Sequence, residues 1–516
     1  MKDTDRVQST SPDFDDVAPN PTSMLESNRA HGYSLSTAMA DLIDNSIAAE
    51  CRNVWLHFHW AGPQSWVRVT DDGKGMTEKE LVNAMRLGSR SPLEKRESSD
   101  LGRFGLGLKT ASLSLCRRLT VASRMEGGTQ AVRRWDLDHL ARPGISGWQL
   151  LKTAHAGSEA KAAVPEKQDS GTVILLEVLD RLVGNALLDD ERMHRHFRES
   201  MDAVMPHLAM VFHRYIEGIR PRLRIFLNEN KVEPWEPFLE GHPATQSTPE
   251  ERIRVPGHEE PVRLKGFVLP HKDKLGDDDH RKASGPGGWN AQQGIYVYRN
   301  ERLIVAGSWL GLGPNRPWTK EEHYKLARIR LDVPSSMDHL WQLNVMKSST
   351  QPPPQLKDRI ESLAHNIRLD ARAVFAHRGK YGKRADREEH RKPWLSTQTG
   401  GARRYRIDRK HPVVEAVLAF GDGSARELTG AMLRILEETV PVEQIWLDAA
   451  EKPEEAARPF HGSTAKQRRE IIEIAYDAIK RNRRLSHTET IALMLGCEEF
   501  CDEESQAIIA TLGRSE

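Results

Sequence analysis

Three short segments of the chain concentrate carboxylates, amides and glycines, the groups that proteins use to bind phosphates and hard metal ions. They are Asp41-Leu-Ile-Asp-Asn45, Asp71-Asp-Gly-Lys-Gly-Met76 and Gly102-Arg-Phe-Gly-Leu-Gly-Leu-Lys109, in that order and about 30 residues apart. A G-x-x-G-x-G or D-x-G-x-G pattern alone often arises by chance, because glycine is a common residue. Both patterns in order after a D-x-x-x-N pattern are rare by chance, which indicates that the three segments form one site.

The third segment has the composition of a loop that binds phosphate groups. Glycine has no Cβ atom, so backbone N–H groups can approach a phosphate closely. A helix predicted at residues 110–115 would add the positive end of its dipole, and the ammonium group of Lys109 would add a charge. The predicted binding residues of this loop are Gly102, Gly105, Leu106, Gly107, Leu108 and Lys109.

The surrounding sequence predicts the elements that would position these segments. Apolar residues recur every three or four positions from residue 34 to residue 50, which predicts a helix. On that helix Asp41 and Asn45 share one face, because they lie four residues apart. Strands are predicted at residues 53–59, 66–69 and 173–178, and polar loops at residues 86–100 and 153–169.

The three segments closely resemble the nucleotide-binding boxes of the GHKL ATPases, the superfamily of gyrase B, Hsp-type chaperones, histidine kinases and MutL. The residues of these segments look most like those of MORC proteins and their bacterial relatives. Gly171-Thr172, followed by an apolar strand, is similar to the last motif of the same pocket. The resemblance implies an α+β fold whose first domain is a Bergerat-type α/β sandwich that binds ATP and Mg²⁺.

The resemblance assigns Asp71 the task of accepting a hydrogen bond from the adenine amino group. A hydrogen bond to a charged group contributes roughly 1.5–3 kcal/mol, so loss of this carboxylate should remove most of the affinity for ATP. Thr172 would support the same edge of the base. Gly73, Gly75 and Met76 belong to the turn that follows Asp71 and are carried over as nucleotide-binding residues.

The resemblance places the chemistry on the predicted helix. Asn45 would offer a neutral oxygen to Mg²⁺, and Asp41 would polarise the attacking water as general base, a role typically worth about 10²–10⁴ in rate. The family usually has glutamate at the Asp41 position, so the shorter aspartate predicts slow turnover. Lys347 would reach the γ-phosphate from the following domain, whereas Asp44 is expected to be structural or exposed to solvent. The polar loop at residues 86–100 would act as a lid over ATP.

The rest of the chain predicts further domains. Residues 295–303 and 343–348 resemble the transducer domain that follows the ATPase domain in gyrase B, MutL and MORC proteins. The predicted divisions are a flexible arm (1–22), an ATP-binding domain (23–190), a transducer domain (191–355), a helix with a basic linker (356–411) and a helical C-terminal domain (412–516).

Composition limits the partners of the protein. The chain has 516 residues with a net charge of +1, so it is not basic throughout as a histone is. Residues 378–410 nevertheless contain twelve Lys or Arg and four acidic residues, which predicts either contact with DNA phosphates or a solvated linker. No membrane-spanning run or signal sequence is recognisable, and the four cysteines are too few for a disulfide scaffold, so a cytoplasmic location is expected.

These features leave more than one function open. The first is a clamp on DNA, as in MORC and MutL relatives, in which ATP closes the lid and joins two protomers into a homodimer through their arms. Bacterial relatives of this kind are expected in restriction or phage defence. The alternatives are an Hsp-type chaperone-like clamp on protein clients and a topoisomerase subunit, and the protein partners stay unknown.

Overall fold

The computed structural model describes residues 15, 19–88, 107–341, 351–376, 391–399, 402–420, 422–441, 445, 460, 463–500 and 502–512. The chain divides into two compact units, residues 1–379 and residues 380–516. Several predicted features lie outside the described residues: Gly102, Gly105, Leu106, Lys347, most of the lid and the start of the basic stretch.

A seven-stranded sheet is the framework of the first unit. Its strands are β1 (Asn53–His59), β2 (Trp66–Asp71), β3 (Arg118–Arg124), β4 (Ala131–Asp136), β5 (Gly171–Glu177), β6 (Arg224–Leu227) and β7 (Asn230–Lys231). They lie in the order β4-β3-β5-β2-β1-β6-β7, and neighbours are antiparallel except for the parallel pair β1 and β6. Strand β5 is buried along its whole length, whereas β1 alternates between buried and less buried residues. That alternation is expected of a strand with one face on the core.

Helices pack with this sheet around one apolar core. They are α1 (Pro21–Asn28), α2 (Leu35–Ala48), α3 (Glu78–Met85), α4 (Gly107–Leu113), α5 (Leu137–Leu140), α6 (Glu159–Ala162), α7 (Glu191–Asp202), α8 (Val204–Val211) and α9 (His213–Ile216). Helix α2 begins with a capping box, in which Ser34 and Thr37 satisfy each other's backbone N–H groups. Its residues Met39, Leu42 and Ile43 are completely buried, so the helix predicted from their spacing is confirmed.

The first core extends further along the chain than the predicted boundary at residue 190. Helices α7 to α9 contribute to it, and the last core residue is Val232. The reason is strand pairing: β6 lies beside β1, with Asn53 opposite Arg224 and Leu56 opposite Leu227. Residues 191–232 therefore belong with the first sheet rather than with a transducer.

A six-stranded sheet follows in the same unit. Its strands are β8 (Gln246–Ser247), β9 (Glu251–Ile253), β10 (Val262–Val268), β11 (Gly294–Arg299), β12 (Arg302–Ser308) and β13 (Ala327–Val333), accompanied by α10 (Asp277–Ser284), α11 (Gly288–Ala291) and α12 (Pro354–Ala376). The order is β12-β11-β13-β10-β8, with β9 also paired to β10. Helix α12 packs so closely on β10 that a Cβ atom at Gly266 would lie 2.4 Å from Cδ1 of Ile367.

The second unit is mainly helical, as predicted, and has its own core. Its elements are β14 (Trp394–Thr399), β15 (Ala402–Ile407), α13 (Pro412–Ala419), α14 (Gly423–Glu438), α15 (Ala465–Arg483), α16 (His487–Leu495) and α17 (Glu503–Thr511). Strands β14 and β15 form an antiparallel hairpin within the predicted basic linker, so this part of the linker has regular structure. Within the described residues, none of the helices combines the length and the apolar character that crossing a membrane requires.

Candidate nucleotide-binding site

Helix α2 carries the predicted catalytic and metal-binding side chains on one face. Asp41 is buried, at 5% exposure, whereas Asn45 one turn later is exposed. The side-chain nitrogen of Asn45 donates to the carbonyl oxygen of Asp41 at 3.0 Å. This bond holds the nitrogen end of the carboxamide against the helix, so the oxygen is the end that can reach a metal ion.

The carboxylate of Asp41 lies next to the start of helix α4. A Cβ atom built on Gly107 would be 4.0 Å from Oδ2 of Asp41, so the first and third predicted segments meet here. The hydroxyl group of Tyr33 donates to the same Oδ2 at 3.0 Å. Burial and the negative charge of Asp41 raise the pKa of Tyr33, which therefore stays a neutral donor at physiological pH.

Asp71, at the end of β2, connects the second segment to helix α2. Its Oδ2 accepts a hydrogen bond from the hydroxyl of Ser46 at 2.9 Å, and its Oδ1 accepts one from the backbone N–H of Gly73 at 3.0 Å. Burial raises the pKa of Asp71 to about 6, although the hydrogen bonds from Gly73 and Ser46 oppose this shift. The structure thus places a buried carboxylate, whose pKa is about 6, beside Ser46 in the last turn of α2.

The adjacent Asp72 has a different role. Its Oδ1 accepts the backbone N–H groups of Arg52 and Asn53, each at 2.8 Å, and its Oδ2 accepts the side-chain nitrogen of Asn53 at 2.6 Å. Asp72 therefore fixes the beginning of β1 and does not contribute to the pocket.

The turn after Asp71 requires glycine at Gly75. This residue has φ of +70°, and a Cβ atom there would lie 2.0 Å from the carbonyl oxygen of Arg124. The next backbone N–H, that of Met76, donates to the hydroxyl of Ser123 at 2.9 Å, and this hydroxyl is 2.9 Å from that of Thr172. Thr172 is in turn paired with Asp71 in the register of β2 and β5.

The predictions missed Ser123 because it lies in β3, where no motif surrounds it. Ser46 directly follows the first segment and received no role of its own, and only its contact with Asp71 reveals one.

Lys109 is placed differently from the expectation of a phosphate-facing charge. It is only 2% exposed, and its ammonium group donates to the carbonyl oxygen of Ala84 in α3 at 3.0 Å. Burial lowers its pKa to about 8. Leu108 and Gly107 are half-buried at the start of α4.

An arginine from the second sheet reaches the acidic face of α2, and sequence reasoning assigned it no role. Arg302, 5% exposed, donates through Nε to Oδ1 of Asp44 at 2.7 Å and through Nη2 to Oδ1 of Asp41 at 3.4 Å. Its Nη1 donates to the carbonyl oxygen of Leu303 at 3.1 Å. Asp44 is itself only 2% exposed, so it is a structural residue and does not face solvent.

The comparisons with known proteins cover the part of the chain that bears the pocket. Residues 33–172 match the family described as histidine kinase-, DNA gyrase B- and HSP90-like ATPases. These residues form a GHKL ATPase domain. Its limits include Tyr33 and Thr172, the outermost of the pocket residues described above, and they exclude Arg302.

The chain is also similar to an ATPase from a worm. Over 255 residues the chain is 29% identical to the ATPase morc-1 of Caenorhabditis elegans. The match covers 41% of this chain and 28% of the worm protein, so the chain spans well under two thirds of that relative's length. Over the aligned part, the chain is thus similar to a MORC ATPase.

Proposed function

We propose that the chain is a Mg²⁺-dependent ATPase whose active site lies between α2, the turn after β2 and the start of α4. One observation carries the proposal: Asp41, Asp71 and Gly107, from three separate segments of the sequence, converge around helix α2. The match of residues 33–172 to the GHKL ATPase family supports the same conclusion.

The adenine end of the site would be formed by Asp71 and Thr172. The carboxylate of Asp71 would accept the adenine amino group, because Ser46 and Gly73 already hold it in one orientation. The hydroxyl of Thr172, linked to that of Ser123, supports the same edge.

The phosphate end would be formed by α2 and the glycine-rich loop. Asn45 fits Mg²⁺, since the ion prefers neutral and anionic oxygen ligands and binds few protein groups directly. When bound, the ion would neutralise charge on the phosphates. Asp41 would accept a proton from the attacking water, and Tyr33 and Arg302 orient its two oxygens. Gly102, Gly105, Leu106 and Lys347 keep their predicted nucleotide contacts as part of this proposal.

Two substitutions separate binding from hydrolysis. Asp41→Asn should retain a non-hydrolysable ATP analogue but lower the hydrolysis rate by about 10²-fold or more, because it removes the general base. Asp71→Asn should weaken binding itself by about tenfold or more, as expected for a lost charged hydrogen bond. Calorimetry and a phosphate-release assay measure the two effects.

Asp72→Asn is the matched control, since Asp72 neighbours Asp71 but bonds only to Arg52 and Asn53. It should keep both nucleotide binding and hydrolysis. If Asp71→Asn and Asp72→Asn lost the same amount of nucleotide affinity, the assignment of the adenine site would be contradicted.

We further propose that the ATPase drives a clamp that closes its lid, forms a homodimer and holds DNA. The worm relative is named only as an ATPase, so the proposal rests on the resemblance to MORC and MutL proteins and on charge. Strand β15 carries Arg403, Arg404 and Arg406 within four positions, and the side chain of Arg406 is exposed. A role in restriction or phage defence belongs to the same proposal.

Alanine at Arg403, Arg404 and Arg406 tests the DNA contact. The salt dependence of DNA binding should become shallower, by about one unit of slope for each lost phosphate contact. Alanine at the exposed Lys466, Arg469 and Arg481 of α15 removes the same charge elsewhere in this unit and is the control.

Equal slopes for the two triple variants would contradict the assignment of DNA binding to the hairpin. ATP hydrolysis that unfolded protein stimulates, and duplex DNA does not, would favour a chaperone-like clamp.

A further inference from the structure

Arg302 connects the second sheet of the first unit to the predicted catalytic helix. It follows directly after the two-residue turn between β11 and β12, where Asn300 and Glu301 both have positive φ. Such a turn is tight and matches the twist of the strands, so it holds the first residue of β12 in a defined position. Its guanidinium group contacts Asp44 and Asp41 on α2, 258 and 261 residues earlier in the chain.

Other contacts fix this hairpin against the helices of the first sheet. The ring of His213 is 2.8 Å from the hydroxyl of Tyr298, and Tyr215 donates to the carbonyl oxygen of Asn300 at 2.5 Å. Arg214 stacks over the ring of Tyr298 at 3.6 Å. A displacement of the hairpin relative to α8 and α9 would therefore move Arg302 away from α2.

The guanidinium group of Arg302 contacts the carboxylates of Asp44 and Asp41 unequally. Burial alone would lower the pKa of Arg302, but Asp44 and Asp41 outweigh it and the pKa is raised. Asp44 makes the shorter bond and anchors the guanidinium group, whereas Asp41 at 3.4 Å is held more loosely.

We propose that Arg302 is a positioning residue that holds the carboxylate of Asp41 in its orientation, and that through it the second sheet controls hydrolysis. The inference rests on the proposed function of Asp41. It implies that hydrolysis responds to the position of the β11–β12 hairpin, whereas adenine binding at Asp71 does not.

The other titratable groups around Asp41 and Arg302 are Tyr33, Asp44, His207 and Tyr215. Burial and the charge of Arg302 lower the pKa of His207 to about 4, so this ring is neutral at physiological pH. The pKa values of Tyr33 and Tyr215 are raised, chiefly by burial. These two tyrosines and His207 therefore keep their charge state when the pH changes between about 5 and 8.

The test compares Arg302→Gln with Arg302→Lys. Arg302→Gln should bind a non-hydrolysable ATP analogue within about threefold of the wild type and keep its KM, but its kcat should fall by about 10²-fold, as expected when a reacting group is displaced by about 1 Å. Arg302→Lys should restore part of the lost rate. Arg299→Gln is the matched control, because Arg299 is a buried arginine of the same hairpin whose described ion pair is with Asp338, at 2.8 Å.

The outcomes are separable. If the wild type hydrolyses ATP and Asp41→Asn does not, but Arg302→Gln has the wild-type kcat, this inference alone is overturned. If the wild type shows no hydrolysis that depends on Asp41, the proposed function fails instead. Should Arg302→Gln not fold, the double variant Arg302→Met with Asp44→Asn removes one buried charge of each sign and provides the same comparison.

An independent observation in the second unit points to a metal site. Ligand atoms of His411, Cys497 and Glu499 lie within 4.8 Å of one another. His411 and Cys497 are 1% and 0% exposed, and the side chain of Glu499 is 19% exposed. Neither ring nitrogen of His411, nor Oε2 of Glu499, has a hydrogen-bond partner among the described residues. Buried polar atoms are normally bonded, so this convergence needs an explanation.

We propose that these three residues bind a zinc ion. Imidazole, thiolate and carboxylate are the ligand types of Zn²⁺, and three protein ligands leave one position of a tetrahedral site for water or a further group. An ion pair between Nε2 of His411 and Oε2 of Glu499, 3.4 Å apart, is the competing explanation, with the thiol of Cys497 donating separately to the carbonyl oxygen of Leu493 at 3.4 Å.

Metal content distinguishes the two explanations. The purified full chain should contain about one zinc ion, and Cys497→Ser should lose it, whereas Cys116→Ser, which alters a buried cysteine of the first unit, should keep it. Cobalt substituted for zinc should give a thiolate-to-metal absorption band that is absent in Cys497→Ser. A wild-type chain that binds neither metal stoichiometrically, or a Cys497→Ser variant that retains both, would overturn the proposal.

Discussion

Asp71 is the residue whose environment should make the proposed binding of adenine depend on pH. Its pKa of about 6 arises mainly from burial, so the group is mostly ionised above that value and mostly protonated below it. The adenine amino group is a donor and prefers the ionised acceptor. Binding should therefore be strong well above about pH 6 and be lost as the pH falls through that value.

Adenosine is the suitable ligand for this measurement, since it carries no phosphate groups whose titration would mix with that of Asp71. Its affinity for the protein should fall by about tenfold for each pH unit below 6, as linkage requires for a single proton. The pKa of about 6 lies between pH 5 and pH 7. An affinity for adenosine that stays constant over about that range would show that the ionised carboxylate is not the acceptor.

At the scale of elements, the turn after β2 is the part of the pocket most sensitive to backbone chemistry. Gly75→Ala should destabilise the first unit and abolish nucleotide binding, because the new Cβ atom would collide with the carbonyl oxygen of Arg124. Gly88→Ala is the matched control for stability alone, since Gly88 lies in the predicted lid: it also has positive φ, +65°, but no described atom lies within 4 Å of its Cβ position.

The control variant measures the conformational strain alone, which is about 1–2 kcal/mol for a residue with a Cβ atom in the left-handed region. Denaturant unfolding and calorimetry compare the two variants. If Gly75→Ala were no less stable than Gly88→Ala, the close contact with Arg124 would not exist in solution.

Local patterns in the sequence were sufficient for the elements that bear the pocket. The three- and four-residue spacing predicted α2, and apolar alternation predicted β1 with its exact bounds. Strands β3 and β4 were missed, because their polar residues, such as Arg118 and Arg134, obscure the alternation. The contact of Arg302 with Asp44 could not be predicted, since it joins residues 258 positions apart that only the folded chain brings together.

At the scale of the whole molecule, each unit has its own hydrophobic core, so the two should unfold separately. Heating should give two unfolding transitions. A non-hydrolysable ATP analogue should raise the midpoint temperature of only the transition that belongs to the first unit. At a ligand concentration of 100 times Kd the stabilisation is about 2.7 kcal/mol. Differential scanning calorimetry measures both transitions.

Asp71→Asn should abolish the ligand-induced shift without changing the transition of the second unit. A single transition, or an equal shift of both transitions by the analogue, would contradict the independence of the two units.

The parallel pairing of β1 with β6 has a consequence for synthesis on the ribosome. Phe58 and Asn228, hydrogen-bonded across this pair, are 170 residues apart, so the partner of β1 is translated long after β1 itself. Until then β1 presents an open strand edge, which is a template for aggregation. Fragments that stop near residue 190 should therefore be insoluble in cells, whereas fragments that extend past Val232 can close the sheet.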